Sequence, residues 1–226
     1  NMKKIVPLCL CIILVSTLAF GQEKLNLKLD KKTLEAGKLQ TFTYEYKVEG
    51  QGKKKRGVGV ILIDAPPEIV WEYLLKWDSM GEFVPGLDYY KTIQTLKPIA
   101  KGSVGESLIE GKLKFPMLTI KYTLDVRFDE PNLRQDWRLI TPAEVDEYTR
   151  KGLKITRATG GIKNIEGFEY LEPYAGGSKT IYYYAPIVET SVPVPAFVER
   201  PMMNSTLPGY VESVKKRVES KGAYRK

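Results

Sequence analysis

Apolar and polar residues alternate through most of the middle of this chain. From Thr41 to Glu49 the apolar side chains Phe42, Tyr44, Tyr46 and Val48 take every second position, the period of a half-buried strand. Thr119 to Asp129 follows the same rule, with Ile120, Tyr122, Leu124, Val126 and Phe128 set against Lys121, Thr123, Asp125 and Arg127. Asp88 to Leu96, Ser107 to Phe115, Gln135 to Ile140, Gly167 to Leu171 and Lys179 to Ile187 add further strands between turn residues. Val58 to Ile63 is different: a continuous β-branched run, which predicts a strand buried on both faces. Strict alternation of this kind predicts an antiparallel sheet with one wet face.

Helical spacing occurs in two places. After Ile63, Asp64 stands as an N-cap, Pro66 and Pro67 suit a first turn that has no N–H to satisfy, and Glu68 suits the helix dipole. Val70, Tyr73, Leu74 and Trp77 then recur on one face. Asp78-Ser79 caps a second short helix from Met80 to Val84, and Pro85-Gly86 stops it. Near the other end, Met203, Leu207, Tyr210, Val211, Val214 and Val218 form one stripe, with Pro208 inside it as a kink and Lys215, Lys216 and Arg217 closing it. Gly50 to Arg56 reads as a basic hairpin tip, and Thr141 to Ile162 shows no regular period.

Composition narrows the chemistry. Lys3 and Lys4 precede an apolar stretch from Ile5 to Leu18, and Ala19-Phe20-Gly21 offers small residues for cleavage, so residues 1–21 are expected to be a signal peptide and the protein periplasmic or secreted. Both cysteines, Cys9 and Cys11, lie in that segment, and the chain has no histidine. From Gln22 onward there is no disulfide, thiol nucleophile or histidine ligand to build with. The net charge of +8 falls to +6 when Lys3 and Lys4 leave. Acidic residues are interspersed nearly everywhere, so no nucleic-acid partner is expected.

The order of strand, Ala65-Pro66-Pro67-Glu68, a helix with an early Trp71, a short second helix, and Pro85-Gly86 before a new strand resembles the START-like superfamily. That group also holds the polyketide cyclases and coenzyme-Q-binding proteins (SRPBCC). Gly161 to Phe168, then Leu171-Glu172-Pro173, then Val192-Pro193-Val194-Pro195-Ala196-Phe197-Val198 occur in the family's order. The resemblance covers roughly Arg56 to Glu219. It divides the chain into residues 1–21, an N-terminal extension with an added strand over 22–55, and a START-like lipid-binding domain over 56–226.

The resemblance implies an α+β helix-grip fold: a curved antiparallel sheet wrapped around a long C-terminal helix, with two short helices after the first core strand. An apolar cavity lies between sheet and helix. It implies binding and transport of a hydrophobic ligand (a lipid, sterol-like molecule or isoprenoid) by a monomer without catalysis, cofactor or metal. The alternative it carries is a cyclase- or aromatase-like enzyme using the same cavity. Wall candidates are Tyr122, Leu124, Trp137, Phe168, Tyr182, Tyr184, Met202 and Met203, the alternative being that they simply pack as core. Asp125 with Arg127, and Asp136 with Arg138, are the nearest charged pairs and are expected on the opposite, solvated face. The tip Phe115-Pro116-Met117-Leu118 is oily where Gly, Asn or Asp is usual. It is read as a lid, as a transient membrane contact, or as a staple on the first helix.

Overall fold

The computed structural model describes residues 24–48, 52–115, 118–191 and 207–226. Its eight strands are β1 (Gln40–Val48), β2 (Gly52–Ile63), β3 (Leu87–Lys97), β4 (Val104–Phe115), β5 (Leu118–Asp129), β6 (Arg134–Leu139), β7 (Ile162–Tyr174) and β8 (Lys179–Thr190). They form one sheet in the order β1-β2-β8-β7-β6-β5-β4-β3, antiparallel at every pairing. The helices are α1 (Lys31–Glu35), α2 (Pro67–Leu74), α3 (Pro142–Arg150) and α4 (Pro208–Glu219), with a 3-10 turn over Trp77–Glu82. The chain passes from β2 to the far edge at β3 through α2 and the 3-10 turn, then returns strand by strand until β8 closes beside β2.

Register sets the two faces. Ile61, Tyr182 and Leu171 lie opposite one another across β2, β8 and β7, and Ile109, Leu124 and Leu139 do so across β4, β5 and β6. These side chains belong to one core that also contains Val70, Trp71 and Leu74 of α2, Trp77 and Met80 of the 3-10 turn, and Tyr210, Val211, Val214 and Val218 of α4. The fold is therefore the expected helix-grip arrangement. Met80, Val70 and Val211 are completely enclosed, and enclosing one such side chain contributes about 1.5–3 kcal/mol.

The opposite face departs from the expectation of a wet surface. Leu25 and Leu34, ahead of β1, pack with Val58, Val60, Leu62, Ile181 and Tyr183 to cover it at one end. The Tyr170 hydroxyl accepts from the Leu25 N–H at 3.3 Å, and Tyr174 donates to Glu35 at 2.8 Å. At the other end Val145 of α3 covers Leu108 and Ile140. Helix α3 starts at a capping box: Thr141 accepts from the Glu144 N–H, and the Glu144 carboxylate accepts from the Thr141 N–H.

Three local expectations are corrected. Asp64 does not cap α2, whose N-cap is Pro66; its carboxylate faces Lys179 at 3.2 Å instead. Lys53 to Arg56 are strand residues of β2, paired with acids on β1, β8 and β7: Glu45 for Lys53 and Lys55, Glu189 for Lys54, Glu166 for Arg56. Pro208 occupies the first turn of α4, where its missing N–H costs nothing, rather than kinking a helix interior.

Gly167 shows how closely the sheet is packed. It lies opposite Trp137, and a Cβ there would sit 2.5 Å from the Trp137 ring and 2.8 Å from the Ala185 carbonyl oxygen. Neither neighbour can move freely, so Gly167→Ala is expected to cost about 1–3 kcal/mol. Urea unfolding should show a lower midpoint at unchanged slope; a wild-type midpoint would mean the ring is not seated on that strand.

Candidate functional site

A cleft opens between the concave face and α4. One wall is a chain of six rings: Tyr122 (β5), Tyr90 (β3), Trp77 (3-10 turn), Trp137 (β6), Tyr184 (β8) and Tyr210 (α4). Consecutive centroids are 6.4, 4.7, 6.4, 5.6 and 4.3 Å apart, with Tyr184 and Tyr210 stacked at 21°. The remaining lining is nearly all aliphatic. Val84 and Pro85 come from the loop after the 3-10 turn, Leu87 from the start of β3, Leu113 and Phe115 from β4, Leu124 from β5. Ile162 and Ile165 of β7 and Pro186 and Val188 of β8 complete it, and Val188, 41% exposed, marks the open side.

The cavity between these walls has a volume of about 80 Å³, below the roughly 300–1,000 Å³ of most small-molecule sites. That is still several times the roughly 10–15 Å³ that one water needs. The cleft is therefore narrow but not closed. None of its described lining residues is ionisable except the four tyrosines. Burial raises the Tyr90 hydroxyl to about 12 and holds Tyr122, Tyr184 and Tyr210 well above their usual value, so all four remain neutral donors at physiological pH.

An acid nevertheless sits directly behind this wall. Glu169 of β7 is fully enclosed on the concave face, paired in register with Tyr184 on one side and Gln135 on the other. Burial pushes its carboxyl up to about 8, against the Tyr182 and Tyr210 hydroxyls that pull it down. Tyr182 donates to its Oε2. The Tyr210 hydroxyl donates to the Met80 sulfur at 3.6 Å. Glu169 Oε1 and Gln135 Nε2 have no partner among the described residues, while Gln135 Oε1 accepts from the Trp77 indole at 2.8 Å. An enclosed carboxyl with an oxygen left unpaired favours its neutral form.

Of the residues expected on the wall, Tyr122, Leu124, Trp137 and Tyr184 line the cleft. Tyr182 shares the concave face but is enclosed at Glu169, away from the lining. Phe168 is a correction: it projects from the other face, between the Arg56 and Arg134 guanidiniums at 5.0 and 4.2 Å. Its parity along β7 is opposite to that of Gly167 and Glu169. Met202, Met203 and Met117 lie outside the described residues. At the oily tip, Phe115 is buried in the cleft wall and Leu118 packs half-buried against the same core.

The charged pairs are on the opposite face as expected, but they are only partly solvated and their partners differ. Arg138 bridges Asp125 and Glu144, each at 2.7 Å. Arg134 grips Asp136 with contacts of 2.6 and 2.9 Å, both residues buried. Arg127 pairs with Asp129 at 3.2 Å. Asp125 is raised to about 6, chiefly by burial, with Arg138 opposing the shift.

No protein-family model and no curated protein sequence matches the chain. Solved structures do. A START superfamily protein from Mycobacterium smegmatis aligns over 73% of this chain and 97% of its own, with 13% identity and a TM-score of 0.52. A STAR-related lipid transfer protein from Xanthomonas axonopodis (fragment 25-204) aligns over 79% and 93%, with 13% identity and a TM-score of 0.52. A protein from Thermus thermophilus aligns over 74% and 98%, with 13% identity and a TM-score of 0.53. At this identity the likeness shows the fold alone, a START-like helix grip.

Glu169 generates a pH prediction. Its folded-state value lies above the unfolded one, so between about pH 5 and pH 8 the unfolded chain releases a proton that the folded chain keeps. Its contribution to stability is complete at low pH and is lost as pH rises through that window, at up to about 1.4 kcal/mol per pH unit. Glu169→Gln should remove this slope. Urea midpoints of wild type and variant at pH 5 and pH 8 measure it, and parallel pH profiles would show that Glu169 does not hold its proton.

Proposed function

We propose that this chain binds and carries a hydrophobic ligand (a lipid, sterol-like molecule or isoprenoid) in the cleft between its sheet and α4, without chemical change. The observation that carries this reading is the lining itself: among the described residues it is aromatic and aliphatic, with no carboxylate or amine. Glu169, a buried acid, accepts from Tyr182 behind the wall. The described lining thus lacks a carboxylate, histidine or lysine to act as general acid or base, which supports binding over a cyclase-like reaction.

The β4–β5 tip belongs to the same reading. Phe115 forms part of the wall, so movement of this hairpin would widen the cleft and admit a chain, either as a lid or by touching a bilayer. Residues 1–21 are read as a signal peptide, with delivery to the periplasm or outside; intact-mass measurement of the secreted protein should then show a chain starting at Gln22.

Native mass spectrometry after solvent extraction should find a co-purified hydrophobe, and a fluorescent fatty-chain probe should bind and be displaced by it. Val188→Trp is the directed test. The position is exposed and at the open side of the cleft, so the larger ring should cut probe affinity by about tenfold or more, while stability changes by no more than ~0.5 kcal/mol. Undiminished binding in that variant would place the ligand elsewhere.

A further inference from the structure

The hydroxyls of the cleft do not balance. Tyr90 and Tyr122 face each other at 3.2 Å, and either can donate to the other. A pair of phenols has two protons and forms one hydrogen bond, so one O–H remains to be satisfied. No carboxylate, amide or carbonyl among the described residues takes it. The buried carboxyl of Glu169 accepts from Tyr182 at Oε2, and neither Tyr90 nor Tyr122 hydrogen-bonds to its Oε1. The excess on this wall is therefore of donors, set in a cleft that is otherwise apolar.

Ligand and water do not answer this excess equally. In the empty cleft, water can accept the spare proton. A pure hydrocarbon that displaces the water leaves the O–H unpaired in an apolar site, which costs affinity. A ligand with an oxygen acceptor at the right depth restores the bond. An ionised carboxylate would also accept, but it would enter a lining that holds no cationic side chain among the described residues. An alcohol accepts as well, yet brings a further proton in need of a partner.

We infer that the Tyr90–Tyr122 pair is a recognition site for a neutral carbonyl oxygen, so that the cleft selects apolar ligands carrying a ketone or ester group. This rests on the binding function proposed above and specifies its ligand class. The remaining aromatic surface of the wall, from Trp77 to Tyr210, is offered to the apolar part of the same molecule. Gly111 keeps the pair in place: a Cβ there would lie 2.6 Å from the Tyr122 ring and 2.8 Å from the Tyr90 ring, so both rings rest on bare backbone.

The experiment compares three neutral probes of matched chain length, a methyl ketone, a methyl ester and the alkane, by isothermal titration and by infrared spectroscopy of the bound carbonyl. At least one carbonyl probe should bind roughly tenfold more tightly than the alkane, the effect of one hydrogen bond that the alkane cannot replace. Whichever probe has the larger advantage identifies ketone or ester as the preferred source of the oxygen. The bound carbonyl stretch should move to lower wavenumber. In Tyr90→Phe/Tyr122→Phe the carbonyl-to-alkane affinity ratio should fall to about one and the infrared shift should disappear. Equal binding of all three probes to the wild type, or a ratio and shift that survive in the double variant, would overturn the recognition site while leaving the cleft as an apolar binder. Failure of every probe to bind would overturn the binding function, and the recognition site with it.

Discussion

The rings from Tyr122 to Tyr210 hold this protein together. They come from five strands or helices and one 3-10 turn, and each touches the next within 6.4 Å between centroids. A buried aromatic side chain removes some 150–250 Å² from water, and a well-placed ring pair adds about 0.5–1.5 kcal/mol beyond that area. Moving any one of these elements breaks ring contacts at its neighbours. The sheet admits such bulk on its concave face only because Gly111 and Gly167 leave bare backbone beneath Tyr122, Tyr90 and Trp137. The same stack that anchors α4 to the sheet, through Tyr184 and Tyr210, also forms the cleft wall. Stability and the candidate site are thus made from the same side chains.

Much of the architecture was legible because most strands bury one face more than the other. Thr119 to Asp129 alternates cleanly, and its apolar set is the concave set in the structure. The reading failed where both faces are covered. Along β7, Phe168 and Tyr170 lie on one face and Gly167, Glu169 and Leu171 on the other. Hydrophobicity alone assigns the aromatic pair to the interior, yet the chain around Leu25 and Leu34 buries that face too. Parity then carries no information about which side is concave, and Glu169 went unnoticed as an inward-facing acid. Helix α3 was missed for another reason. Val145 is its only buried residue, so no periodicity is visible. The signal was Thr141-Pro142-Ala143-Glu144, a capping box with proline at the first helical position.

The ion pairs were not legible because partners depend on register. Asp125 and Arg138 are 13 residues apart but directly opposite across β5 and β6, where side chains approach most closely. Arg134, by contrast, turns along its own strand to Asp136 and lays its guanidinium over Phe168. Burying both ions costs desolvation energy, so the pair is no evidence of net stabilisation by itself. The bidentate geometry and the ring face offset that cost. Phe168 is unavailable to the cleft because its position along β7 turns it to this face.

The sheet consequently acts as a partition between two dielectric regimes. Arg127, Arg134 and Arg138 with their acids lie on one side of it, and the cleft with its neutral tyrosines on the other. Alternation along each strand makes the partition, since neighbouring residues point to opposite sides. Glu169 is the one acid found on the apolar side of β7, and burial answers by keeping its proton on, so that it adds no ionised group behind the aromatic wall at neutral pH. A low-dielectric site strengthens every hydrogen bond made inside it and penalises every one left unmade. With charge excluded, what remains to discriminate one apolar molecule from another is shape and the placement of a few phenol protons.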